Sequence, residues 1–212
     1  MITLISNYNE FKDFISNLDY KPKLLLHACC APCSTHCLLV LNKYFDISVF
    51  FSNDNIYPKE EYFKRLDEIN NFVSNFTQNV DVIEDGYKPE DYYNAVKGKE
   101  ELGERSIRCY ECYKLRMEKS VIMAKKLGFE YFTTTLSLSP YKNSNWVNEI
   151  GYELEKKYGV KYLYSNFKKE NGYLDSIKIS EEYCLYRQNY CGCEFSLKER
   201  IEHDRLNKEN KD

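Results

Sequence analysis

Glycine is scarce in this chain, 8 of 212 residues, and none of the eight falls in a GxGxxG or GxxxxGK[ST] pattern. A phosphate cradle built on a glycine loop therefore has no support. Long apolar runs are also missing. LLLHA and CLLVL are the longest, far short of the roughly 20 residues that cross a bilayer. The opening stretch MITLISNYNEFKDF holds acids but no arginine and no apolar segment before a small-residue cleavage site. No secretory leader is expected, and the protein is placed in the cytoplasm without a membrane partner. Positive charge is not in excess either. Thirty Lys and Arg stand against 33 Asp and Glu, a net charge of -3, so no whole-molecule field advertises a polyanion and any nucleic-acid site must be local.

What the chain does have is cysteine, nine in all. That is well below the density of about 8–10% that marks disulfide scaffolds, and a chain of this length has no need of staples. In a reducing compartment the thiols stay free, and metal or redox chemistry becomes the leading reading. The length fits one domain spanning 1–212, with its core over about 20–197 and a charged C-terminal tail, LNKENKD.

Strand-like and helix-like segments alternate. Strands are expected at Lys23–Ala28, Asp46–Ser52, Val80–Glu84, Tyr131–Thr135 and Val160–Tyr164. Helices are expected from a Ser34 cap to about Tyr44, from Pro58 through Phe76, over Asp91–Val96, over Cys109–Lys126 closed by Gly128, and over Asn145–Tyr158 closed by Gly159. A short helical segment follows from about Asn171. This alternation implies an α/β fold, a parallel sheet with flanking helices and a helical C-terminal segment. Ligands in such sheets gather beyond the carboxyl ends of the strands, and HACCAPC lies directly after the first one.

The cysteines fall into three groups. Cys29, Cys30 and Cys33 follow the first strand. Adjacent cysteines in a strand would point to opposite faces, so Cys29 and Cys30 share a metal only if the chain turns there, as Pro32 favours. Cys109 and Cys112, at i and i+3 near a helix start, share one face, where thiolates are stabilised and ligate metal. CC plus CxxC makes four thiolates, enough for zinc or for a 4Fe-4S cluster, and spacing does not separate the two. In Cys191-Gly192-Cys193 the glycine lets the backbone bring two sulfurs within reach, and so short a loop suits a switchable dithiol better than a structural bridge. Cys37 and Cys184, among apolar neighbours, read as core. His27 is a candidate site residue but equally a strand-end histidine bonded to backbone. His36 has weaker grounds, and His203 falls in an exposed, charged segment.

HACCAPCS, NIYPKEEYFKR, CYECYKLR, FTTTLSLSPYKN and LYRQNYCGC, in this order from about residue 24 to 195, together resemble the QueH type of epoxyqueuosine reductase. The resemblance implies reduction of epoxyqueuosine to queuosine at the wobble position of tRNA, the last step of queuosine biosynthesis. It also implies a fold related to the nucleotide hydrolase and tRNA-thiolase (HUP) group. By motif, Cys29, Cys30, Cys109 and Cys112 become ligands of a 4Fe-4S cluster, and Cys191 and Cys193 the catalytic redox pair. Some members carry Asp where Cys33 stands and a second metal beside the cluster, which makes Cys33 a candidate ligand of an adjacent mononuclear iron.

Removing an epoxide oxygen takes two electrons, an acid for the departing oxygen and a positioned ring. No residue identifies a flavin or nicotinamide site, so the electron donor is expected to be external. Arg108, Arg116, Lys168, Lys169 and Arg187 are candidates for a local phosphate-binding rim. Two other readings compete. A tRNA sulfur-transfer enzyme on a related fold would need an SGGxDS-type loop where HACCAPCS stands. A zinc-stabilised RNA-binding module would perform no reaction of its own.

Overall fold

The computed structural model describes residues 5–77 and 79–209. Five parallel strands, β1 (Lys23–His27), β2 (Asp46–Phe51), β3 (Asp81–Glu84), β4 (Tyr131–Thr134) and β5 (Lys161–Tyr162), form one sheet in the order β3-β2-β1-β4-β5. In the central strand, Leu24, Leu25 and Leu26 are wholly buried, as expected of a parallel strand covered on both faces. Successive residues serve different cores. Leu24 and Leu26 pack with Val49 and Phe51 under α1 (Tyr8–Ser16), α2 (Ala31–Leu41) and α3 (Lys59–Phe76), whereas Leu25 packs with Phe50 and Phe132 under α5 (Ile107–Leu127) and α6 (Ser144–Tyr158).

The helices end as their sequences dictate. Gly128 and Gly159 both adopt left-handed backbone after α5 and α6, the conformation glycine reaches without a Cβ penalty. Two starts differ from expectation. Helix α2 begins at Ala31, with extended Cys30 as its cap rather than Ser34, because Pro32 supplies a helical φ in the first turn. Pro58 is the extended residue before α3, not its first helical residue. The charged C-terminal tail is helical through Glu209 in α8 (Glu194–Glu209); positions 210–212 lie outside the described residues.

Helix α1 was not expected. The Asn7 side chain accepts from the backbone N–H groups of Asn9 and Glu10, and Glu10 accepts from Ser6, a reciprocal cap that lets Phe11 and Ile15 bury against the sheet. Helices α4 (Pro89–Val96) and α7 (Gly172–Glu182) complete the set.

The sheet order reverses direction between β1 and β4. A crevice opens at such a switch point, and there Cys29, just after β1, donates its backbone N–H to Thr135, just after β4.

Candidate metal and redox site

At the end of β1, His27 is fully buried, with Nδ1 2.8 Å from Thr134 Oγ1 and Nε2 3.2 Å from the Ser52 carbonyl. Burial, with nearby Arg116, holds its pKa down at about 3, so it is a neutral brace between strands. The chain then turns into α2. Cys29, Cys30 and Cys33 converge at that turn, their thiols all within 4.8 Å of one another. The Cys29 and Cys30 sulfurs are 3.8 Å apart; the turn brings together side chains that a continued strand would have separated. Asn53 donates to the Ala28 carbonyl and Ser34 to that of Cys30, at 2.9 Å each.

The three thiols interact through hydrogen bonds, and their acidities move in opposite directions. Hydrogen bonds from Cys30 and Cys33 hold the Cys29 thiol well below its ordinary value, helped by Lys142 and Arg116 against the effect of burial. Donation to Cys29 correspondingly pushes the thiols of Cys30 and Cys33 up.

Cys109 and Cys112 lie in the first two turns of α5, behind the Ser106 cap, and both are buried. Burial pushes their thiols up, to about 11 and about 12, and the neighbouring Cys191 and Cys193 add to the effect. They do not belong to the tight group around Cys29.

The Cys191-Gly192-Cys193 loop docks on the segment before α3. Tyr57 N–H donates to the Gly192 carbonyl at 2.8 Å, and the Tyr190 hydroxyl donates to the Tyr57 carbonyl at 2.5 Å. Gly192 has φ +128, and a Cβ there would stand 3.0 Å from an Arg65 nitrogen, so the position demands glycine. The two cysteines diverge. Cys191 lines an open cleft together with Cys29 and Cys33, whereas Cys193 packs inward against Tyr92 and Cys112 and accepts from the Ser196 N–H in the first turn of α8. All nine cysteines are free thiols.

Four cations surround these sulfurs. Arg65, Arg108 and Arg116 are each no more than 3% exposed. Burial opposes the charge of Arg116, yet the sulfurs of Cys112, Cys29 and Cys191 hold its pKa above the ordinary value. Arg65 is held up in the same way by Cys30 and by Glu61, and Arg108 by Glu199, Cys193 and Cys109. Lys142, half-buried, is raised by Cys191, Cys29 and Cys33 despite its desolvation. Arg108 and Arg116 are therefore not part of a solvent-facing phosphate rim. Among the other candidates, Arg187 lines the cleft, Lys168 donates to the Lys142 carbonyl, and Lys169 is exposed outside the cleft lining.

Each buried arginine also keeps an unpartnered N–H nitrogen: NH2 of Arg65, and Nε of Arg108 and Arg116. Buried charged groups need a counter-charge and hydrogen-bond partners. An all-thiolate iron–sulfur cluster, anionic overall, would supply the charge. The donor set and the cation shell fit such a group. Gln188, which sequence reasoning passed over although it stands in LYRQNYCGC, donates to Cys30 Sγ at 3.0 Å.

The remaining cysteines split. Cys37 is wholly buried, as expected. Cys184 is exposed instead of core, because the chain turns through a left-handed residue there (φ +52) after α7 ends. His203 is exposed as expected, and His36 is buried between α2 and α7 near Asp175.

The cleft above the thiols has a volume of about 740 Å³, in the range of small-molecule sites. Among the described residues no helix is long and apolar enough to cross a membrane.

A family model described as epoxyqueuosine reductase QueH matches residues 24–199. An epoxyqueuosine reductase QueH of Streptococcus pyogenes serotype M1 is 44% identical over 182 residues, which cover 84% of this chain and 71% of that protein. One from Staphylococcus aureus is 41% identical over 198 residues, 90% and 82% of the two chains. One from Thermotoga maritima is 42% identical over 182 residues, 84% and 92%.

Proposed function

The chain belongs to the epoxyqueuosine reductase QueH family, and on that premise we propose that it reduces the epoxide of epoxyqueuosine in tRNA to the alkene of queuosine, the last step of queuosine biosynthesis, at an iron–sulfur centre held by its cysteines. The overall reaction consumes two electrons and two protons and releases the epoxide oxygen as water. Cys29, Cys30, Cys109 and Cys112 would hold a 4Fe-4S cluster, and Cys33 would serve an adjacent mononuclear iron. When bound, the metal centre supplies electrons singly and a Lewis acid for the oxygen.

The observation that carries this reading is the shell of buried cations with unpartnered N–H groups around free thiols. Arg65 and Arg108 also pair with Glu61 and Glu199, whereas Arg116 donates to Asn53 and has no carboxylate partner among the described residues, so the sulfurs of Cys112, Cys29 and Cys191 answer its buried charge. Left unpaired, it would cost on the order of 3–5 kcal/mol. In the reaction the same residues have assignable tasks. Arg65, Arg108 and Arg116 would offset the negative charge of the ligand sulfurs once a metal centre binds. Lys142, kept protonated at the cleft floor beside Cys29 and Cys191, presents an N–H to an oxygen brought there. Cys191, facing the cleft, and Cys193, behind it, would deliver electrons and protons from an external donor as a redox pair. Their sulfurs diverge in this structure, contrary to the expectation from the Gly192 spacing, so pairing requires the loop to rearrange. His27 and Gln188 hold the turn that carries Cys29 and Cys30. A cytoplasmic, reducing compartment belongs to the same proposal.

Anaerobic purification followed by iron and sulfide analysis tests the reading, paired with turnover of an epoxyqueuosine-containing anticodon stem-loop under a chemical reductant. A brown protein with matched iron and sulfide that forms queuosine is the expected result. A colourless, zinc-bearing protein that binds RNA without converting it would overturn the reading.

A further inference from the structure

We propose that Tyr141, capped by Arg105, is a stacking platform at the cleft mouth for an unpaired nucleotide flanking the modified base, with Arg187 over Tyr173 as a second contact of the same kind. The inference rests on the tRNA reading above and names how this chain grips that substrate.

The thiols lie on the floor of a cleft, so a wobble base must leave its stack to reach them, and its neighbours lose stacking partners as it does. Proteins that take single-stranded nucleotides satisfy such exposed π-faces with aromatic rings and guanidinium planes. The rim of this cleft offers those groups. Tyr141 is 59% exposed, and its backbone N–H donates to Ser139 Oγ. The Arg105 guanidinium sits 5.5 Å from the Tyr141 ring centroid, and that of Arg187 sits 5.9 Å from Tyr173. All four residues line the cleft.

Charge pairing separates these two arginines from Arg108, Arg200 and Arg205. Arg108 pairs with Glu199, Arg200 with Asp204 and Arg205 with Glu202. Among the described residues no carboxylate pairs with Arg105 or Arg187, so their charge is not neutralised; one Arg187 nitrogen donates to the Ser176 carbonyl and the Ser180 hydroxyl, which fixes its guanidinium at the cleft wall. Arg105 also holds a left-handed backbone, φ +68, a conformation that costs a non-glycine residue energy and recurs at ligand contacts. With the net charge at -3 and three arginines turned inward to the sulfurs, gripping RNA falls to this confined rim.

The test uses anaerobically purified, iron-loaded protein and an anticodon stem-loop carrying 2-aminopurine beside the modified base. Wild-type protein should quench the fluorophore differently from Tyr141→Ala, which should lose the stacking signal and weaken Kd and KM about 5- to 100-fold. Its kcat at saturating RNA should stay within about twofold. Tyr141→Phe, which keeps the ring, should restore both Kd and the signal, and Arg105→Gln should lower the salt dependence of binding by a slope of about one. A Tyr141→Ala protein that binds and signals like wild type would overturn the platform while leaving the reductase reading intact. A wild-type protein that neither binds nor converts the stem-loop would instead remove the reading, and the platform with it.

Discussion

Two clefts of this molecule are similar in size and opposite in chemistry. The thiol cleft, about 740 Å³, adjoins buried arginines that keep unpartnered nitrogens. The second, about 560 Å³, lies between α1, α6 and the first residues of β4 and β5, and its wall is tyrosine and carboxylate. There the polar groups are engaged. Glu155 accepts from the Tyr162 N–H at 2.8 Å, the Tyr152 hydroxyl donates to the Ile5 carbonyl, Glu10 accepts from Ser6, and Lys161 lies over the Tyr131 ring. None of the unpartnered buried atoms among the described residues lines it. Volume alone would rank the two as comparable sites. Unpartnered buried nitrogens distinguish them, because the arginines beside the first cleft keep N–H groups that an anionic group among the sulfurs would answer.

Substitutions can break this contrast. The largest effect is expected from Cys30→Ala and Cys112→Ala, which should reduce both iron per chain and epoxide turnover to background, whereas Tyr152→Phe in the second cleft should change neither. Retained iron and turnover in Cys112→Ala would remove it from the ligand set. Next comes Arg116→Gln, expected to lower iron retention and turnover roughly 10- to 100-fold, the cost of losing the cation that faces Cys112, Cys29 and Cys191. Metal analysis after desalting reads this directly.

Two glycines sharpen the comparison further. Gly151 sits on α6 where a Cβ would stand 2.4 Å from the Tyr162 ring, and Gly192 sits where one would meet Arg65. Alanine at either should cost about 1–3 kcal/mol in denaturant unfolding, by overpacking at the first and backbone strain at the second. Only Gly192→Ala should also lower kcat, because only that loop carries Cys191 to the cleft.

The sequence made much of the thiol cleft legible and little of its electrostatics. β1 announced itself because a fully buried parallel strand is a short apolar run, and CC with Pro32 marked the turn that gathers the sulfurs. The α5 start was legible from CxxC and its end from Gly128. Arg108 and Arg116 were misplaced for a physical reason. Whether an arginine turns inward depends on charges that other segments bring to it, here Cys29 from β1 and Cys191 from the C-terminal loop, and no local pattern records that. Cys184 was misjudged because its apolar neighbours Leu185 and Tyr183 pack partly inward while its own left-handed turn points it out. Helix α1 is absent from the expected elements although Asn7 and Glu10 spell a reciprocal cap, because a helix of 9 residues with only Phe11 and Ile15 buried is too short to establish a helical period.

The smallest expected effect concerns His36, on the far side of α2 from the strand-end turn. It is 6% exposed, neither ring nitrogen has a hydrogen bond, and Nδ1 lies 3.6 Å from an Asp175 oxygen. Burial lowers its pKa, and Asp175 only partly offsets this. The unfolded chain, with an imidazole near 6.5, therefore binds the proton more tightly than the folded one. The stability associated with neutral His36 is fully present above that value and is lost as pH falls below it. Unfolding free energies at pH about 7.5 and about 5.5 should show a smaller acid loss for His36→Asn than for wild type, since the remaining carboxylates titrate in both. An identical loss would mean that α2 and α7 accommodate the charged ring, with Asp175 closing to pair with it.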